Sequence, residues 1–144
     1  METGSSKVDK VSKINKILEK TIQSIDDSKE EILEIVEHAR RECIKIKEEL
    51  DEIRVKVDKV IEEVDFLEIE EKKSRIYLSK VSKNFDIYNE ADIKDAYDKA
   101  NELRIMLALK REEEKVLIER RGEKELSLKS AIEVYENLKK SVGQ

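Results

Sequence analysis

The sequence predicts an all-α protein: a long antiparallel helical hairpin, a coiled coil, with its tip near residues 86–89, pairing with a second copy into a helical bundle. Three observations carry this. The 144 residues are dominated by helix formers, with no Pro, no Trp and three Gly. Apolar residues (38%) recur three and four apart, and charged residues (45%) fill the positions between. That repeat stops once, in "SKNFDIYNEADIKDAYDKA" (82–100), and then starts again.

Residues 1–7 are expected to be disordered, and residues 8–144 to form a single coiled-coil domain. With Ile22 at a heptad a position, the a residues from Val8 to Phe85 are Val8, Asn15, Ile22, Lys29, Val36, Cys43, Leu50, Val57, Val64, Glu71, Leu78 and Phe85. The d residues are Val11, Leu18, Ile25, Ile32, Ala39, Ile46, Ile53, Val60, Leu67, Ser74 and Val81. Nineteen of the twenty-three are apolar and the register never slips, which specifies a left-handed supercoil with a partner helix. A continuous helix of that length spans roughly 115 Å, too long for a small globular core to cover. Ser28 and Glu31 have the Ser-x-x-Glu spacing of a capping box, so residues 8–27 form either a separate N-terminal helix or an in-phase overhang of the long helix 28–85. Asn15 and Lys29 place polar side chains at a positions, a pattern that lowers stability while selecting register and oligomer number.

Phe85, Ile87, Tyr88 and Asn89 form the expected tip, the first three placed to plug it and Asn89 to cap a second helix over 90–142. Glu90 and Asp92 fall in that helix's first turn, where acids suit its dipole. Its apolar residues resume at Ile93, Ala96, Ala100, Leu103 and Leu107, then at Leu128, Ala131, Tyr135, Leu138 and Val142. So short a connection makes the helices antiparallel neighbours. A turn centred near 87–88 brings the second arm back only to the mid-thirties, leaving the start of the first arm as an overhang. Lys110, Glu114, Arg121 and Lys124 fall at expected core positions, so a pliable polar seam and a local change of phase around Val116, Leu117 and Ile118 are expected there. Opposite them the first arm stays apolar over 50–67, and a second chain is expected to cover it, giving a homodimer.

Net charge is −5 and the sequence pI about 5.2, against nucleic acid as a partner, since phosphate binding calls for a basic stripe. The longest apolar run, "IMLAL" (105–109), is far short of a bilayer span, and "METGSSKVDK" has no apolar signal-peptide core. A cytoplasmic location is the default, with one cysteine fitting a reducing compartment. His38 lacks a second ligand one turn away or an orienting carboxylate in a pocket, and is read as structural. Cys43 at an a position packs as a small apolar residue, or in a parallel dimer faces its own copy and can oxidise. No phosphate loop, paired-cysteine motif or Ser/His/Asp arrangement is present, so no catalytic, cofactor or metal residue is expected.

Arg75, Leu78, Ser79, Val81, Ser82, Asn84 and Phe85, followed by Ile93, Ala96, Tyr97, Ala100 and Leu103, resemble the N-terminal sensor region of DegS-type sensor histidine kinases. "SKEEILEI" (28–35) and Glu119-Arg120-Arg121 extend the likeness, while Gly122 departs from it. The resemblance implies a cytoplasmic two-component kinase whose sensor coiled coil feeds a kinase core and, downstream, a DegU-type response regulator. His38, followed by Ala39 and Arg40, does not stand in a phosphoacceptor motif. The competing readings are a structural or scaffolding coiled coil and a prefoldin-like chaperone hairpin. The second would need β-strands that "FDIYNEADI" is too short and too polar to supply.

Overall fold

The computed structural model describes residues 4–143, with side chains from residue 8 onward. It contains two helices, α1 (Gly4–Lys83) and α2 (Glu90–Ser141), and no strand among the described residues. α1 begins at Gly4, inside the stretch expected to be disordered; residues 1–3 lie outside the described residues. The helices run antiparallel, since Lys110 meets Glu63 while the later Lys124 meets the earlier Glu49. Packing divides the chain into two units, Ile46–Leu128 and Met1–Lys45 with Lys129–Gln144.

In Ile46–Leu128 the heptad positions of α1 face α2. Leu50, Val57, Val60, Val64, Leu67, Ser74 and Val81 are buried, as are Ala96, Ala100, Leu107 and Leu117 of α2. Val57 and Val60 pack on Leu117 with Ile53 alongside, and Val64 and Leu67 pack on Leu107 with Leu103 alongside. Burying a Val or Leu side chain contributes ~1.5–3 kcal/mol, against ~0–1 kcal/mol for an exposed ion pair, so this stripe holds the arms together.

Two expectations fail here. α2 covers the 50–67 stripe within one chain, and no change of phase occurs. Between the two cross-helix pairs both arms advance by two heptads, from Glu63 to Glu49 and from Lys110 to Lys124. Leu117 keeps the core position while Val116 and Ile118 stay at the surface. Long Lys and Arg stems lie along apolar neighbours and keep their charges wet, so a polar residue in the repeat need not open the seam.

The turn is built on Asn84. Its backbone N donates to Val81 O, its side-chain Nδ2 donates to Lys80 O at 2.6 Å, and its carbonyl accepts from the amides of Ile87 and Tyr88 at 3.1 Å each. Asn89 Oδ1 then accepts from Asp92 N (2.9 Å), and Asp92 Oδ2 accepts from Asn89 N (3.1 Å), a reciprocal cap on α2. Lys80 and Lys83 end α1 where its dipole is negative. Phe85 and Ile87 do not plug the tip. Both are 75% exposed, because the tight winding at 84–87 turns them outward. Tyr88 alone turns back, its ring 6.3 Å from that of Tyr77 at 79°.

In the other unit Val36 is buried, and Ala39, Cys43, Ala131, Tyr135 and Leu138 are half-buried. α1 passes through Ser28 without a break. The Ser28 hydroxyl donates back to Ser24 O at 2.9 Å instead of capping a new helix. A capping box works only where the Ser itself stands outside helical geometry, and the in-phase repeat keeps Ser28 inside the helix. Residues 8–35 are exposed throughout, including the heptad residues Val8, Val11, Leu18, Ile22, Ile25 and Ile32.

Candidate functional site

The four polar residues of the α2 repeat are all half-buried in the seam. Lys110 Nζ lies 2.5 Å from Glu63 Oε2 and 3.1 Å from Glu113 Oε2, bridging the arms. The Glu63 carboxyl is held below its ordinary pKa and the Lys110 ammonium above its own, in both cases mainly by the hydrogen bond between them. One residue on, Arg111 Nη2 pairs with Glu68 Oε1 at 3.0 Å. Lys124 Nζ contacts Glu49 Oε2 across the seam, and Arg121 stays on its own helix, 3.7 Å from Glu125. Glu114 shares the seam without a cross-helix ion pair among the described residues. The arrangement is a zipper of ion pairs laid over an apolar floor. Its acidic partners on α1 were missed in the sequence, although Glu49 and Glu63 flank the core positions there at the same two-heptad spacing as Lys110 and Lys124.

The residues around the turn divide by face. Leu78, Val81, Ser82, Ile93, Ala96, Ala100 and Leu103 point into the seam, and the small Ala96, Ala100 and Ser74 are buried there. Arg75, Ser79, Asn84, Phe85 and Tyr97 are exposed. Arg75 Nε lies 2.8 Å from Glu71 Oε1, and with Leu78, Tyr97 and Ala100 this pair lines a shallow groove of about 280 Å3. Asn15 and Lys29, the polar a residues, are both exposed on the overhang.

His38 is exposed beside an apolar groove of about 350 Å3 lined by Ile35, Ala39, Ala131, Val134 and Leu138, where two alanines thin the seam. Cys43 is a free thiol, half-buried at its heptad position. Among the described residues no cluster of three or more His, Cys, Asp or Glu side chains could hold a metal ion. None of the described helices is long and apolar enough to cross a membrane.

Two antiparallel arms, one doubly capped turn and a seam bridged by ion pairs define an antiparallel coiled-coil hairpin. The chain belongs to the DegS sensor-protein family, whose model, "Sensor protein DegS", matches residues 15–144. It is similar to the signal transduction histidine-protein kinase/phosphatase DegS of Brevibacillus brevis, 40% identical over 134 residues, and to that of Bacillus subtilis (strain 168), 37% identical over 131 residues. Each match takes in 91% of this chain and 34% of the relative, so the chain spans about a third of the length of the curated relatives it matches. No solved structure matches it.

Proposed function

We propose that this chain is the sensor and dimerisation part of a cytoplasmic two-component sensor histidine kinase, passing a signal through helix movement to a kinase core. The core in turn acts on a response regulator of the DegU type. Family membership supports the setting. The observation that carries the role is the bare heptad stripe over 8–25, where Val8, Val11, Leu18, Ile22 and Ile25 are 51–66% exposed in the register that is buried further along α1. A repeat of that regularity calls for a partner helix, and a second copy of the same stripe supplies one, with Asn15 and Lys29 keeping the union weak and specific. The homodimer so formed rests on the overhang alone, since α2 covers residues 50–67.

The polar seam at Lys110, Glu114, Arg121 and Lys124 is the pliable element. Its bridges are half-exposed and screened by salt, so ionic strength shifts the balance between packings of the two arms. The test is sedimentation equilibrium across a salt series, with helicity followed by circular dichroism on the same samples. A dimer whose mass or helicity changes over physiological salt supports a responsive sensor. A dimer unchanged throughout leaves a passive scaffolding coiled coil, and a monomer at all salts removes the dimer.

A further inference from the structure

A heptad helix paired through a and d should be polar at c and f, the positions facing away from the seam. Within Ile46–Leu128 both helices break this rule. On α1, Phe66, Ile69 and Ile76 lie at c or f and are 55–62% exposed. On α2, Ile105, Leu109 and Val116 lie at the matching outward positions and are 44–68% exposed. The two outward faces differ in the charge that frames them. The α1 face carries Lys73, Lys80 and Lys83, and residues 72–83 contain five basic residues and no acid. The α2 face carries Asp95, Asp98 and Glu102, all exposed. Among the described residues Lys80, Lys83, Asp95, Asp98 and Glu102 make no ion pair, and Lys73 has a partner only in Glu70 on its own helix, at 3.6 Å.

The antiparallel pairing also sets the two faces at matching heights. With Leu107 packed on Val64 and Leu67, and Arg111 on Glu68, Phe66 stands level with Leu109 and Ile69 with Ile105. By the same register Lys73 stands level with Glu102 and Lys80 with Asp95. We propose that the outward face of α1 docks on the outward face of α2 of a second copy lying alongside at the same height. Apolar residues then meet apolar residues, and Lys73 and Lys80 each meet an acid. Between copies lying parallel at the same height, pairing α1 with α1 would set lysines against lysines, and α2 with α2 would set acids against acids, so in that arrangement charge selects the mixed pairing. Such a contact is heterologous. It repeats from copy to copy, closing as a ring or running on as a filament, and it is independent of the overhang dimer.

The test is charge reversal on the whole chain, read by sedimentation velocity at low salt, with circular dichroism checking that these exposed changes leave the helices intact. Lys73→Glu with Lys80→Glu, and separately Asp95→Lys with Glu102→Lys, should each weaken assembly by more than about tenfold, because like charges then face each other. Mixing the two variants should restore it, since the reversed α1 of one fits the reversed α2 of the other. Ile69→Ser should weaken assembly without regard to mixing. Leu18→Asp, which disrupts the overhang, should leave this contact in place. Assembly indifferent to both reversals, lost but not regained on mixing, abolished by Leu18→Asp alone, or absent from the unaltered chain would overturn the proposal.

Discussion

One heptad repeat runs the length of α1, and its two regions meet different fates. Over 50–81 the repeat is covered: Leu50 is 1% exposed and Val57 and Val81 are 0%. Over 8–32 the same positions, with the same kinds of side chain, stand half-bare, Leu18 at 53% and Ile22 at 58%. The difference shows that a heptad pattern names the face to be buried and leaves open what buries it. In the covered region that is α2 of the same chain. In the overhang only its last turn, at Lys29 and Ile32, shares a groove with the end of α2 at Ser141 and Val142, and among the described residues Val8 to Ile25 stay bare, which is why the case for a second copy rests there.

Cutting the same methyl groups from each region should separate the two most widely. Leu50→Ala should cost about 2–5 kcal/mol, because it leaves a cavity in a filled seam. Leu18→Ala, measured by denaturant unfolding at concentrations where the chain is monomeric, should fall within about 0.5 kcal/mol of the unaltered chain. An equal loss at both sites would mean that the overhang is already covered in the free monomer.

Capping gives the next contrast. Asn89→Ala removes a side chain that accepts the Asp92 amide and should destabilise α2 by about 1 kcal/mol. Ser28 stands in mid-helix and not at a cap, so Ser28→Ala should be neutral or stabilising by up to about 0.5 kcal/mol. A loss at Ser28 comparable to that at Asn89 would mean that α1 starts anew there.

Gly122 sharpens the picture of the seam. A Cβ built there meets nothing within 4 Å, so Gly122→Ala should raise stability by about 0.5–1 kcal/mol without disturbing the bridges beside it. Thermal unfolding at fixed salt reads this directly.

The smallest effect concerns pH. Glu63 has a lowered pKa in the folded chain, so its contribution is present above the ordinary carboxylate value and fades as pH falls through the lowered one. Lys110, raised by the same contact, contributes below its ordinary value and loses that as pH rises through the raised one. The bridge is therefore complete around neutrality. Glu63→Gln should flatten the acid limb of a stability-against-pH curve, and a limb of unchanged slope would show that the pair contributes nothing measurable.

Much of the fold can be read along the chain because it depends on local, periodic chemistry. The spacing of Val36 through Val81 and of Ile93 through Val142 sets which side of each helix is apolar. The turn sequence with Asn89 sets where the direction reverses, and these suffice for an antiparallel hairpin. The likeness at Arg75 to Phe85 and Ile93 to Leu103 likewise lies in the residues themselves. Other features depended on geometry between distant residues. Lys110 and Lys124 look like defects until Glu63 and Glu49 stand across from them, and an aliphatic stem hides in the letter of a charged residue. Phe85 and Ile87 look like a plug until the backbone of the turn aims them outward. The helix periods and the turn residues, read from sequence alone, determined the faces, the arms and the reversal. Only the tertiary structure decided which faces were covered and how charges entered the seam, because burial and ion pairing belong to two surfaces brought together and not to either strand of sequence.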